Sequence, residues 1–338
     1  MKNKFLSFIV IALAAILVLY FSLKDDFQTI INTILNIDKK WLLISFIFLF
    51  LYYFLRSFVM YNFVREFKKK YTIKEALRLT FETNFFHAVT PFASGGQPYE
   101  IYSLNKKGLK IVDAANISVE NFIVYQIALV LLGIISIISN HIFKVLNASL
   151  LKYLLTLGFL INLSVIVVLF IITLSKSMDK KIINFIIMIL SKIKVVKDLE
   201  KTKNKINDYL SDFNKGATIL LKNKIKFINM IILELVSLIC LYLVPFSLFN
   251  GINININPFF VIITMSYVML IGSFVPIPGG TGGLEYSFVN FFTNFLSGSK
   301  VNAIMLVWRF ITYYFGMILG AIVLSIKKER KNENRNIY

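Results

Sequence analysis

Along the chain, long apolar blocks alternate with short polar stretches dense in lysine and arginine. A block of about twenty apolar residues is long enough to cross the hydrocarbon core of a bilayer as an α-helix. The blocks near 5–23, 41–64, 114–139, 150–175, 227–249 and 301–326 therefore read as full membrane spans. Two further apolar stretches, about 77–104 and 258–298, are broken by proline and glycine. Their centres read "TPFASGGQPYE" (90–100) and "SFVPIPGGTGGLEYSF" (273–288). Such residues interrupt helices, and each half is too short to span alone.

Composition agrees with a membrane solvent. Hydrophobic residues make up 57% of the 338, and the mean hydropathy is +0.72, too apolar for an ordinary soluble domain. The single cysteine, Cys240, lies inside an apolar run, so neither a disulfide framework nor a CxxC metal site is expected. Lys2 and Lys4 precede the first apolar block as in a secretory signal. The block is longer than a signal core, however, and its alanines lie in its middle, so an uncleaved span is expected.

The net charge of +19 is unevenly spread. Lysine and arginine crowd 65–78, 106–110, 176–226 and the tail after 326, whereas 24–40, 140–149 and 250–257 are poor or balanced in positive charge. Positive residues favour the cytoplasmic side and its anionic lipids. Both termini are therefore expected in the cytoplasm. No RNP, zinc-finger or helix-turn-helix signature supports nucleic-acid binding. Within the basic 176–226 segment, the short apolar run Ile182–Leu190 fits an interfacial helix.

These loops also orient the broken stretches. The first begins and ends beside basic, cytoplasmic loops, and the second begins and ends outside. Each then reads as a re-entrant helical hairpin, the two entering from opposite faces. Aligned, their centres are "PFASGGQPYE" and "PIPGGTGGLE", with proline first, glutamate last, and Gly95 opposite Gly280. The pattern span–hairpin–span occurs twice, at about 41–139 and 227–326, in opposite orientation. Inverted repeats with interrupted helices at matching places point to a transporter site. The expected fold class is all-α: a polytopic integral membrane protein forming a single membrane domain over 1–338, with about six spans and two hairpins.

A backbone break at membrane depth is tolerated only inside protein or beside a wet cavity. Pro91, Gly95, Gly96, Gln97, Pro276, Gly279, Gly280 and Gly282 are accordingly candidates to line a binding cavity. Glycine lets the backbone approach a ligand closely, and a helix start offers free N–H groups to an anion. Arg56, Glu120, Asn121, Glu234 and Arg309 fall inside apolar blocks. Each charged group there costs about 2.5–3.5 kcal/mol even on lenient scales, so it needs a partner or water. Asn116 and Glu120 share one helical face. Arg56 and Arg309 suit a lipid phosphate, while Glu100, Glu120 and Glu285 suit a cationic head group or a coupling proton. Internal salt bridges that lock the bundle are the alternative for each. His87 fits packing better than proton relay.

The motifs "TPFASGGQPYEIYSLNKKG" and "PIPGGTGGLE" resemble the membrane region of bacterial lysylphosphatidylglycerol synthases, over about 5–326. The late motif carries Pro276, Pro278, Gly279, Gly280, Gly282 and Glu285; the early one carries Pro91, Gly95 and Gly96. The family's Glu-Arg pair on the following helix reads Glu120-Asn121 here. The resemblance implies a flippase-like domain in the bacterial cytoplasmic membrane. Its substrate is then an anionic or aminoacylated phospholipid, or a polyprenyl phosphate. In full-length relatives a soluble domain transfers lysine to phosphatidylglycerol. Only residues 327–338 follow the last expected span, so no such catalysis is expected from this chain, and no cofactor or metal. Two rivals stand beside transport. One is a scaffold for a separate lipid-modifying enzyme, docked through 176–226. The other is an intramembrane enzyme, for which the sequence offers no nucleophile–base or metal set.

Overall fold

The computed structural model describes residues 27–146, 151–174, 223–296 and 298–333. The expected first span at 5–23 and all but the end of the 176–226 segment, including its interfacial helix, lie outside the described residues. Among the described residues the chain is helical, without strands.

The helices are α1 (Phe27–Leu35), α2 (Lys39–Phe67), α3 (Ile73–Ala88), α4 (Gly96–Lys106), α5 (Ile111–Phe143) and α6 (Lys152–Leu174). They continue as α7 (Lys224–Tyr242), α8 (Val244–Gly251), α9 (Pro258–Gly272), α10 (Gly283–Phe292), α11 (Gly298–Arg309) and α12 (Gly316–Glu333). Among the described residues, the segments long and apolar enough to cross a membrane are Lys39–Phe67, Ile111–Phe143, Lys152–Leu169, Lys224–Gly251 and Gly298–Ile326. They coincide with the spans expected after the first, and the protein is a multi-pass membrane protein. Along α2 the exposed apolar positions Leu43, Ile47, Phe50, Phe54 and Phe58 recur every three to four residues, giving a lipid-facing stripe.

Local chemistry sets the ends. Asp38 caps α2 by accepting from Lys40 N at 2.8 Å. Thr72 and Glu75 form a reciprocal capping box at the start of α3. Asn257 caps α9 with Pro258 at the first helical position, where a missing N–H is harmless. Two spans are less regular than their hydropathy predicts. The block at 227–249 breaks after Tyr242, where Pro245 opens α8. The last block carries a π-helical turn at Phe310–Phe315 between α11 and α12, a local widening that frequently marks functional sites.

The two glycine-rich stretches are the centres of two helix pairs. Around Pro91–Ala93, a 3-10 turn, α3 packs against α4; around Pro278–Gly280, another 3-10 turn, α9 packs against α10. The two turns touch each other. The first helix of each pair also reaches the other half: α3 lies against α12, and α9 lies against α5. The helices that precede the pairs, α2 and α7, lie against each other.

Buried apolar side chains form two clusters, and charged residues separate them along two helices. On α2, Arg56 lies between Tyr53 of one cluster and Val59 of the other. On α7, Glu234 lies between Met230 and Leu238; on α5, Glu120 and Asn121 lie within one cluster, between Ile117 and Val124. Lipid is as apolar as leucine, so association of these helices rests on close packing and on polar contacts between them.

Candidate functional site

Glu100, Glu120, Glu234 and Glu285 are buried, and the structure decides how they are arranged around Arg56 and Arg309. Arg309, at the end of α11, lies 2.6 Å from Glu285 of α10, with both side chains almost fully buried. Its Nη2 donates to the Gly279 carbonyl at 3.0 Å and to Thr281 Oγ1 at 3.3 Å. Glu285 Oε2 in turn accepts from Gly282 N at 2.7 Å. One ion pair thus closes the loop Gly279–Gly282 over the start of α10. Tyr313, four residues after Arg309, stands under the guanidinium at 4.5 Å.

The loop geometry explains its glycines at one position above all. Gly279 has φ +66°, and a Cβ there would come within 2.2 Å of the Tyr313 ring. Only glycine combines that backbone with that approach. In the first turn no glycine takes the corresponding place: Phe92 and Ala93 adopt φ 53° and 51°. Left-handed backbone at side-chain-bearing residues is strained and concentrates at functional sites. The turn is held by Thr90 Oγ1, which accepts from Gly95 N at 2.8 Å, and by a contact of His87 Nδ1 with the Ala93 carbonyl. Gly96 is packed onto the His87 imidazole. His87 is thus a packing group of the turn.

Glu100 of α4 is arranged differently from Glu285. Ser118 of α5 donates to its Oε2 at 2.6 Å, and Asn121 Nδ2 lies 3.5 Å from Oε1. Both groups are uncharged. Glu100 is 5% exposed, and among the described residues Arg56 shares a cavity with it but is ion-paired elsewhere. Arg56 lies 3.1 Å from Glu234, whose side chain is fully buried, with the two charges adjacent but not aligned as a hydrogen bond. Its Nη1 donates to Tyr52 Oη at 3.0 Å, and its guanidinium lies over the Tyr125 ring at 5.1 Å. Both arginines expected to clamp a phosphate are therefore already ion-paired.

Three larger cavities run through this region. One of about 650 Å³ is lined by the polar Arg56, Asn84, His87, Gln97, Glu100 and Asn121 and by apolar side chains such as Phe122, Leu129 and Phe274. A second, of about 220 Å³, lies between the two turns and shares Tyr52, Asn84, His87, Phe92 and Tyr125 with the first. It also reaches Gly279, Gly280 and Arg309. A third, of about 550 Å³, is walled by Ile31, Ile34, Leu42, Phe46, Leu306 and Ile311, with Glu285 and Arg309 its charged lining residues. Arg309 borders both the second and the third. The cavities adjoin in series through shared lining residues, from one that carries polar and charged groups to a nearly apolar recess.

Of the residues expected at the site, Arg56, Gln97, Glu100 and Asn121 come together on the largest cavity, and Gly279, Gly280, Glu285 and Arg309 on the other two. Gly95, Gly96 and Gly282 shape the turns from behind. Pro91 opens the first turn, and Pro276 is exposed beside the second. Glu120 lines none of these cavities. The sequence reading missed Tyr313, Ser118 and Thr281. Tyr313 carries a readable signal, since it lies one helical turn after Arg309. Ser118 and Thr281 show none.

A multi-pass helical membrane protein with a charged interior cavity between two broken helix pairs is the class these features define. The lysylphosphatidylglycerol synthase transmembrane-region family matches residues 7–320, and the chain belongs to that family. No curated protein matches the chain.

Proposed function

We propose that the chain moves a lipid with a cationic, phosphate-bearing head group across the bilayer. The observation that carries this is Glu100: a buried carboxylate with no salt bridge among the described residues, on the wall of a 650 Å³ cavity. A carboxylate so placed binds an amine, and the aromatic Phe122 lines the same cavity. The head-group phosphate lies toward Arg56, beside its Glu234 partner. Hydrocarbon tails take the apolar recess beyond Arg309. An aminoacylated phospholipid of the lysylphosphatidylglycerol kind satisfies all three walls. A plain anionic phospholipid or a polyprenyl phosphate leaves Glu100 unmatched.

On this reading the two helix pairs are re-entrant hairpins entering from opposite faces, and the halves 41–139 and 227–326 are inverted repeats. The exchanged contacts of α3 with α12 and of α9 with α5 support a two-fold relation, with α2 and α7 at its axis. Both termini then lie in the cytoplasm, and the chain carries no lipid-modifying chemistry itself.

The test is head-group translocation in proteoliposomes, with labelled lysylphosphatidylglycerol and phosphatidylglycerol. Glu100→Gln keeps the side-chain shape and removes the charge. Because a charge-assisted contact is worth about 1.5–3 kcal/mol, the variant should move the aminoacylated lipid roughly tenfold more slowly or worse while remaining folded. Equal rates in wild type and variant would sink the site assignment. No movement of either lipid would sink transport itself, and co-purification with a lipid-modifying enzyme would then make the chain that enzyme's membrane partner.

A further inference from the structure

We infer that Asn116 and Glu120 form a binding site for one monovalent cation, a proton or a sodium ion, separate from the head-group cavity. Both residues are 1% exposed. Among the described residues, Asn116 Nδ2 and Oδ1 and both Glu120 carboxylate oxygens have no hydrogen-bond partner. They stand one turn apart on the same face of α5. At 100° per residue, that face is roughly opposite the one carrying Ser118, Asn121 and Tyr125. One helix thus carries a polar pair directed away from the cavity groups it also presents.

The charged groups around α5 have other engagements. Arg56 of α2 and Glu234 of α7 are beside each other. Glu100 of α4 is held by Ser118 and Asn121. Nearer the ends, Arg65 of α2 donates to Tyr61, Lys226 of α7 meets Glu66 of α2, and Lys106 of α4 lies over Tyr102. Asp113, on α5 itself, has its own interaction. Helix α6 offers only the exposed Lys152, and α9 has no acidic or basic residue.

An unpaired carboxylate buried in a helix bundle costs several kcal/mol, a larger penalty than one buried pair of polar amide atoms. Folding tolerates it where a small cation neutralises it. Carboxylate and amide oxygens are hard donors, suited to a proton or an alkali ion and not to soft metals. Among the described residues no cluster of three or more His, Cys, Asp or Glu offers a multivalent metal site. A monovalent cation matches one carboxylate charge. The site goes beyond the transport reading and does not depend on it.

Purified protein without lipid substrate tests it directly. Thermal unfolding is compared in sodium chloride and choline chloride at equal ionic strength, and infrared spectra are scanned for the carbonyl stretch of a protonated carboxyl. Wild type, Glu120→Gln, Asn116→Ala and Glu100→Gln are compared. A sodium-dependent rise in Tm that vanishes in Glu120→Gln and persists in Glu100→Gln assigns sodium. A protonated-carboxyl band lost in Glu120→Gln, displaced in Asn116→Ala and kept in Glu100→Gln assigns the proton. Wild-type protein with neither the sodium response nor the band overturns the site, whether or not any variant folds. Responses that survive Glu120→Gln overturn it as well.

Discussion

The Tyr313 hydroxyl donates a 3.0 Å hydrogen bond to the Ala88 carbonyl, joining the π-helical turn of the last span to the end of α3. The same ring lies against Gly279 of the other turn and beneath the Arg309 guanidinium. One side chain therefore touches both broken helix pairs, at the place where the two turns meet.

Tyr313→Phe should lower stability by about 1–3 kcal/mol, because the Ala88 carbonyl loses its donor in a buried place. The ring contact with Gly279 survives, so the fold should persist. Thermal unfolding in detergent measures the loss. An unchanged midpoint would show that the hydroxyl bond contributes nothing.

Gly279→Ala and Gly282→Ala separate backbone strain from collision. Both glycines have positive φ, +66° and +89°, but an added Cβ meets Tyr313 at Gly279 and nothing within 4 Å at Gly282. Gly282→Ala should cost about 1–3 kcal/mol, from strained positive-φ backbone alone. Gly279→Ala should cost clearly more, and the gap between them should shrink in a Tyr313→Ala background. Equal costs in the wild-type background would contradict the packing argument.

Arg309 and Glu285 should be strongly coupled. Removing either one leaves a buried charge, at a cost of about 3–5 kcal/mol. Arg309→Met with Glu285→Gln should cost less than the sum of the single variants in a double-mutant cycle of unfolding free energies. Additive effects would mean that the pair does not hold the loop. A transport defect in Arg309→Ala alone therefore mixes stability with substrate contact, and Glu100→Gln is the cleaner probe of binding.

The start of α3 should loosen in acid. Partial burial pushes the Glu75 carboxyl up, but the Thr72 main-chain N–H, Lys107 and the Thr72 hydroxyl together hold it below the usual carboxylate range. A depressed native value means that the stabilisation is present above the unfolded value, near pH 4.3, and is lost as pH falls through the lower native one. Protection factors in the first turn of α3, taken relative to the intrinsic exchange rate at each pH, should fall over that acid window in the wild type. Glu75→Gln should exchange faster at neutral pH and show no such acid step.

Much of this architecture was legible without coordinates. The apolar blocks gave five of the helices able to cross a membrane, since hydrocarbon thickness fixes the length of such a run. Proline and glycine placed both 3-10 turns, because those residues remove a donor or open left-handed backbone. The helix breaks at Tyr242 and at Phe310–Phe315 were not readable as clearly. Hydropathy averages over them, and the π turn depends on packing against other helices.

The sequence by itself determined the solvent, the family and the residues too polar for their surroundings. Those properties reside in local composition and in spacing along one helix. Only the tertiary structure decided partnership. Arg56 is placed beside Glu234, 178 positions away, and Arg309 beside Glu285, while Glu100 is left with the uncharged Ser118 and Asn121. Glu120 is turned away from the cavities altogether. Charge pairing in a low-dielectric interior depends on distances of a few ångströms between helices, and no pattern along the chain encodes which helix will supply the partner.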